Sequence, residues 1–133
     1  MDASALRAAY ARLLDAARAA RGAPVDGDEW RPELVLAHVI VADRLIAEAA
    51  GRVLADGRAT FESRASHSEP YLEAIIGACG DWDGLVEAVR RGGAELAATV
   101  ERIEPEHAAG VVRRASWMPT ALPWTAPWSW RSS

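Results

Sequence analysis

The chain has 133 residues, a formal net charge of −4 and 50% hydrophobic residues, which is typical of one domain with a sizeable core. The acidic balance and the absence of a basic stripe argue against a nucleic-acid partner. The single cysteine, Cys79, excludes an intramolecular disulfide framework and suits a reducing cytoplasm. Neither a signal peptide nor an apolar run of roughly eighteen residues is present, so we expect a soluble cytoplasmic protein without a membrane span.

Two helices are predicted in the first half of the chain. From about Ala3 to Arg21, apolar residues recur with the 3.6-residue period of an amphipathic helix, which the loop Gly22 to Gly27 ends. A second helix is predicted to begin at Pro32, whose fixed φ suits the first helical position, and to end between Gly51 and Gly57. Apolar residues cover most of this second helix, so we expect it to be the most buried element.

A loop, a short helix and a third long helix are predicted next. The segment Arg58 to Glu69 is polar and weakly patterned, which indicates a loop that crosses the bundle. A short helix is predicted over Pro70 to Ala78, ended by Gly80. Asp81 is a suitable N-cap for a long helix over about Trp82 to Ile103. Three long helices and one short one indicate an all-α, up-and-down helical bundle.

Gly92 and Gly93 interrupt the apolar seam of the last predicted helix. Each glycine costs about 1 kcal/mol relative to alanine in a helix interior. Close packing against a neighbouring helix and a simple bend are the two explanations that stay open.

The C-terminal segment, residues 113–133, differs in composition from the bundle domain, residues 1–112. It holds four of the six tryptophans together with three prolines, and it follows neither helical nor strand periodicity. A ligand for an aromatic groove, an anchor at a membrane surface and an irregular tail are the interpretations that we weigh. The irregular tail is favoured, because no PxxP core or basic cluster accompanies the tryptophans.

A shifted reading frame is a further hypothesis for this tail. Tryptophan and methionine have single codons, so Trp117-Met118 and Trp124-Thr125 each yield an aspartate when read from the third base of the preceding codon. With G- or C-ending codons the stretch becomes an ordinary strand-and-turn sequence that contains Asp-Gly-Pro. The natural last part of the domain would then be lost, and sequencing the parent gene beyond Ser133 tests this.

His38 lies in the middle of the apolar second helix, within the stretch Trp30 to Asp43. A buried imidazole needs a hydrogen-bond partner or a metal ion, because an unpaired polar group costs about 1–3 kcal/mol away from water. A metal site needs further donors, and no pair of His or Glu donors one helical turn apart is present. His67 and His107 lie in or beside predicted loops, and either can fold toward His38. A satisfied core histidine and a metal ligand both stay open.

The other polar candidates are assigned structural roles. Glu29, Glu33 and Asp43 are predicted to be solvated surface charges, and Asp43 is expected to point away from His38. Cys79 is interpreted as a structural thiol rather than a nucleophile, because no histidine lies near it in sequence. No catalytic and no cofactor-binding residue is assigned from the sequence.

Three segments carry a family resemblance: Trp30 to Ala42, Tyr71 to Ile76 and Gly80 to Val86. Over about residues 3–112 the chain resembles the actinobacterial branch of the DinB-like superfamily, which includes mycothiol-dependent maleylpyruvate isomerase. The resemblance implies a four-helix bundle in which His38 is one of three ligands to a divalent metal, zinc or nickel. It also implies that this metal activates a small-molecule thiol, mycothiol or bacillithiol, for transfer or isomerisation.

The chain departs from the family pattern at the last helix, where the family carries its other two ligands about one turn apart. No such pair is present here, so the resemblance implies an incomplete bundle that is inactive as written. Helix faces left without that wall favour a homodimer. Two functions therefore stay open: a metal-dependent thiol transferase or isomerase, and a non-catalytic bundle that acts through dimerisation or small-ligand binding.

Overall fold

The computed structural model describes residues 1–21, 27, 30–57, 59 and 61–104. They contain four α-helices and one short 3-10 helix, and no strand occurs among them: α1 Ser4–Ala20, α2 Pro32–Asp56, η1 Arg64–His67, α3 Glu69–Cys79 and α4 Trp82–Glu101. The predicted all-helical bundle is confirmed, and each predicted helix is found. The tail 113–133, Glu29 and His107 lie outside the described residues.

Local sequence signals account for the helix ends. Pro32 is the first residue of α2, where a missing N–H breaks no helical hydrogen bond. Gly57 ends α2 at a φ of 80°, in the left-handed region that favours glycine, and its N–H donates to the Val53 carbonyl at 2.8 Å. The Asp81 carboxylate accepts a hydrogen bond from the Gly84 N–H at 2.8 Å, which confirms Asp81 as the N-cap of α4.

Contacts at both ends show that α1 runs antiparallel to α4. The amino group of Met1, before α1, donates to the carbonyl of Ile103, after α4, at 2.7 Å. At the other end, the Arg21 guanidinium lies 3.4 Å from the Asp83 carboxylate in the first turn of α4. The first helix therefore lies along the full length of the last described one.

The helices α2 and α4 run in the same direction. Leu36 shares a buried cluster with Leu85, and further along both helices Asp43 lies beside Gly92. Gly57 ends α2 at one end of that helix, and η1 lies beside its first half, where the Ser66 carbonyl meets His38. The polar stretch predicted as a loop from Arg58 to Glu69 thus contains the short helix η1.

Two buried apolar clusters lie on two sides of α2. One joins α2 to α1 and α4: Ala17, Leu36, Ile40, Leu85 and Val89. The other joins α2 to α3: Leu34, Ala37, Val41 and Leu72. More residues are buried in α2 than in any other described helix, which confirms that prediction. Two of them, His38 and Asp43, are polar.

The exposed surface of the described residues carries few large apolar side chains. Met1 and Tyr71 are the exposed ones in this part of the chain. None of the described helices is both long and apolar enough to cross a lipid bilayer.

Candidate functional site

His38 lies on the buried side of α2, between Trp30 and η1. The residue is 8% exposed, and its Nδ1 lies 2.6 Å from the carbonyl oxygen of Ser66. A carbonyl oxygen only accepts hydrogen bonds, so we assign the proton of the neutral ring to Nδ1 and the lone pair to Nε2. The prediction that this ring lies inside the bundle is confirmed.

The acceptor for His38 is held in place by η1. Ser66 is 1% exposed, its hydroxyl donates to the Ser63 carbonyl at 2.7 Å, and its N–H donates to the same carbonyl at 3.0 Å. These bonds fix the direction of the Ser66 carbonyl. Ser66 was not predicted from the sequence as part of the site. The available signal was the presence of two serines, Ser63 and Ser66, shortly before His67.

Three rings meet at this end of the bundle. The ring centroids of His38 and His67 are 5.0 Å apart with their planes at 70°, and those of Trp30 and His38 are 5.8 Å apart. His67 is exposed, whereas Trp30 is partly buried and its indole N–H donates to Glu69 at 3.2 Å. Of the two loop histidines that were candidates, the structure brings His67 to His38, and His107 is outside the described residues.

Burial lowers the pKa of His38 below its ordinary value of 6.5. The hydrogen bond to the Ser66 carbonyl raises the pKa in part, and the nearby His67 lowers it further. The imidazole is therefore neutral at neutral pH. A neutral ring with its lone pair on Nε2 is the form that binds a metal ion or accepts a proton.

The His38 and His67 rings make an edge-to-face contact at a spacing that a shared metal ion would also require. Two imidazoles on one tetrahedral ion, with metal–nitrogen distances of about 2.0–2.1 Å, place their ring centroids roughly 5 Å apart. The observed separation between His38 and His67 is 5.0 Å. A hydrogen bond from the other ring nitrogen to a carbonyl is also the usual support of a metal-bound histidine.

The donors do not reproduce the three-ligand site that the family resemblance implies. Within residues 1–21, 27, 30–57, 59 and 61–104, no group of three or more His, Cys, Asp or Glu side chains can hold a metal ion. The described residues therefore offer two imidazoles, and the rest of a coordination shell has to come from elsewhere.

Asp43 is buried, so the prediction that it is a solvated surface charge is wrong. The residue is 7% exposed, and the Tyr10 hydroxyl of α1 lies near its carboxylate. Its Oδ2 is buried with no hydrogen-bond partner among the described residues. Burial raises the pKa of Asp43 to about 6, against the lowering effect of the Tyr10 hydroxyl. Burial and the neighbouring carboxylate also raise the pKa of Tyr10.

Two glycines of α4 make room for the Tyr10–Asp43 pair. A Cβ at Gly93 would lie 2.5 Å from the Tyr10 ring, so the glycine permits close packing there, which was one of the two explanations left open. A Cβ at Gly92 would lie 3.9 Å from Asp43 Oδ2, an ordinary contact distance. The carboxylate thus faces α1 and α4, whereas His38 on the same helix faces η1.

A groove of about 700 Å³ lies beside Asp43, between α2, α4 and the end of α3. Its charged side chains other than Asp43 are Arg44, Glu48, Glu87, Arg91 and Glu95. Cys79 lines the α3 end of the groove and is partly buried. The third predicted surface charge in this region, Glu33, is partly exposed and lies 3.5 Å from Arg31.

Comparison with protein-family models, with curated proteins and with solved structures finds no match to this chain. The likeness to the DinB-like superfamily therefore rests on the sequence pattern alone. The two buried polar residues of α2, His38 and Asp43, and their surroundings are the features that bear on function.

Proposed function

We propose that the chain binds one divalent metal ion, zinc or nickel, through His38 and His67, as a relative of the DinB-like, metal-dependent thiol transferases and isomerases. The observation that carries this proposal is the hydrogen bond from His38 Nδ1–H to the Ser66 carbonyl. It fixes the tautomer that metal-bound histidines use, and it does so next to a second imidazole.

The residues around the site have distinct roles in this proposal. His38 and His67 hold the ion, and the Ser66 carbonyl orients the His38 ring. Trp30 packs against His38 and limits the access of water to it. A bound metal would supply Lewis acidity that favours the thiolate of a coordinated small-molecule thiol such as mycothiol.

Metal titration of the purified full chain tests this proposal. We expect the wild-type chain to bind about one Zn²⁺ or Ni²⁺ per chain and His38→Ala to bind none. In His67→Ala we expect the metal affinity to fall by about ten-fold or more. Cys79→Ser is the matched control and is expected to bind metal normally, because Cys79 lines the separate α2–α4 groove. With Co²⁺ as the probe, addition of N-acetylcysteine or mycothiol is expected to produce a sulfur-to-metal charge-transfer band.

Two results would contradict the proposal. One is a wild-type chain that binds no metal at all. The other is an equal metal content in His38→Ala, since the ligand would then lie elsewhere.

A non-catalytic bundle that acts through dimerisation or small-ligand binding is the second candidate. The lack of a third metal donor among the described residues and the groove beside Asp43 favour it. Light scattering of the metal-free wild-type chain distinguishes dimerisation from small-ligand binding. A homodimer supports dimerisation, and a monomer favours ligand binding in the groove.

A further inference from the structure

We propose that the groove between α2 and α4 binds a small molecule that carries a primary ammonium group on an apolar body, with the ammonium group bound to Asp43. This site is separate from the His38 site, because the two side chains face different elements of the bundle. The inference therefore does not depend on metal binding.

The first step is the unsatisfied oxygen of Asp43. The residue is 7% exposed and lines the groove, and its Oδ2 has no hydrogen-bond partner among the described residues. The Tyr10 hydroxyl also lies near this carboxylate, but it makes no hydrogen bond to Oδ2. Buried acceptors in folded proteins are almost always satisfied by protein, water or ligand. A donor in the groove would satisfy this one once the Asp43 side chain turns toward it, since Oδ2 itself is buried.

The charged side chains that line the groove favour a cationic ligand. A carboxylate forms its strongest hydrogen bonds with cationic donors such as an ammonium group. Glu87 is shared between Arg90 at 2.5 Å and Arg91 at 3.4 Å, so these three side chains together carry one positive charge. The remaining charged side chains that line the groove are Asp43, Glu48, Glu95 and Arg44. This balance is negative and favours a cationic ligand over an anionic one.

The size and shape of the groove suit a small molecule. A volume of about 700 Å³ lies within the range of about 300–1,000 Å³ that is usual for small-molecule sites. The uncharged walls are formed by Ile40 and by small residues, Ala47, Ala88 and Gly92 among them. Gly92 lines the groove on the α4 side, and a Cβ there would lie 3.9 Å from Oδ2, an ordinary contact distance. These walls suit an aryl or alkyl body attached to the ammonium group.

Titration of the full chain with benzylamine, followed by NMR at about pH 7.5, tests the proposal, since the amine is then protonated. Benzyl alcohol is the matched uncharged probe, and its affinity is expected to be lower than that of benzylamine by about ten-fold or more. Asp43→Asn keeps the side-chain shape and an acceptor for Tyr10, and it is expected to lose about ten-fold or more of the benzylamine affinity.

A second variant keeps the test decisive if Asp43→Asn fails to fold. Gly92→Ala is expected to fold, because alanine suits a helix better than glycine. The added methyl group lies near Oδ2, so we expect the affinity for benzylamine to fall by about three-fold or more. His67→Ala, at the other site, is expected to bind the probe normally. Equal affinity for the amine and the alcohol, unchanged binding by both groove variants, or no binding by the wild-type chain would overturn the proposal.

Discussion

His38 and Asp43 lie five residues apart on α2, and both are buried, but their surroundings differ. The His38 ring donates from Nδ1 to a fixed backbone carbonyl and packs against Trp30 and His67. Asp43 lies near the Tyr10 hydroxyl, and its Oδ2 has no hydrogen-bond partner among the described residues. The first environment orients a neutral imidazole, whereas the second leaves an acceptor that a proton or a ligand can occupy.

The pKa values of the two groups move in opposite directions for the same reason. Burial lowers the pKa of His38 and raises that of Asp43, so the fold favours the uncharged form of each. Substitutions at the two positions should therefore differ both in their cost and in their dependence on pH.

The largest effect is expected from His38→Ala, which should lower the free energy of unfolding by about 2–4 kcal/mol. The substitution leaves a cavity and removes the donor to the buried Ser66 carbonyl. Urea denaturation at neutral pH measures the loss of stability. His67→Ala is the matched control and should change stability by about 0.5 kcal/mol or less, because His67 is exposed. Equal losses in the two variants would show that the bond to Ser66 contributes little.

The next effect is the pH dependence of stability that Asp43 causes. Its pKa is about 6 in the folded chain against an ordinary value of 3.8, so its contribution to stability is full below about pH 4 and is lost as the pH rises through about 6. A difference of about two pKa units corresponds to at most about 3 kcal/mol. Asp43→Asn should abolish this fall, as unfolding free energies measured between about pH 4 and 8 would show.

His38 supplies an internal control for that experiment. Its pKa is lowered from 6.5, so its contribution is present above about pH 6.5 and is lost as the pH falls. This second slope has the opposite sign and should persist in Asp43→Asn. A variant that keeps the wild-type profile throughout would mean that Asp43 does not titrate with a raised pKa.

The helices and the burial of His38 were predictable because their signals are local. Periodicity, Pro32 and the Asp81 cap define helix positions within a few neighbouring residues, and a lone histidine on an apolar face indicates burial. Which loop residue meets that histidine was not predictable. The polar stretch around Ser66 and His67 has no period, and its position depends on contacts with residues distant in sequence, such as His38.

The burial of Asp43 was missed because its causes are distant in sequence. The carboxylate is buried because Tyr10 reaches it from α1 and because Gly92 and Gly93 leave room on α4. Neither condition is visible in the residues next to Asp43, where a charged side chain is normally solvated. The two adjacent glycines carried a relevant signal, but sequence alone does not distinguish a bend from a close approach.

The smallest predicted effect distinguishes those two glycines. Gly93→Ala should destabilise the chain by about 1–2 kcal/mol, since the new methyl group would overlap the Tyr10 ring and this outweighs the helix-propensity gain. Gly92→Ala should stabilise it by about 0.5–1 kcal/mol, because its Cβ meets Asp43 only at 3.9 Å. Thermal denaturation of both variants measures the difference. If both substitutions stabilise equally, the Tyr10 ring is not held against α4, and the burial of Asp43 needs a different explanation.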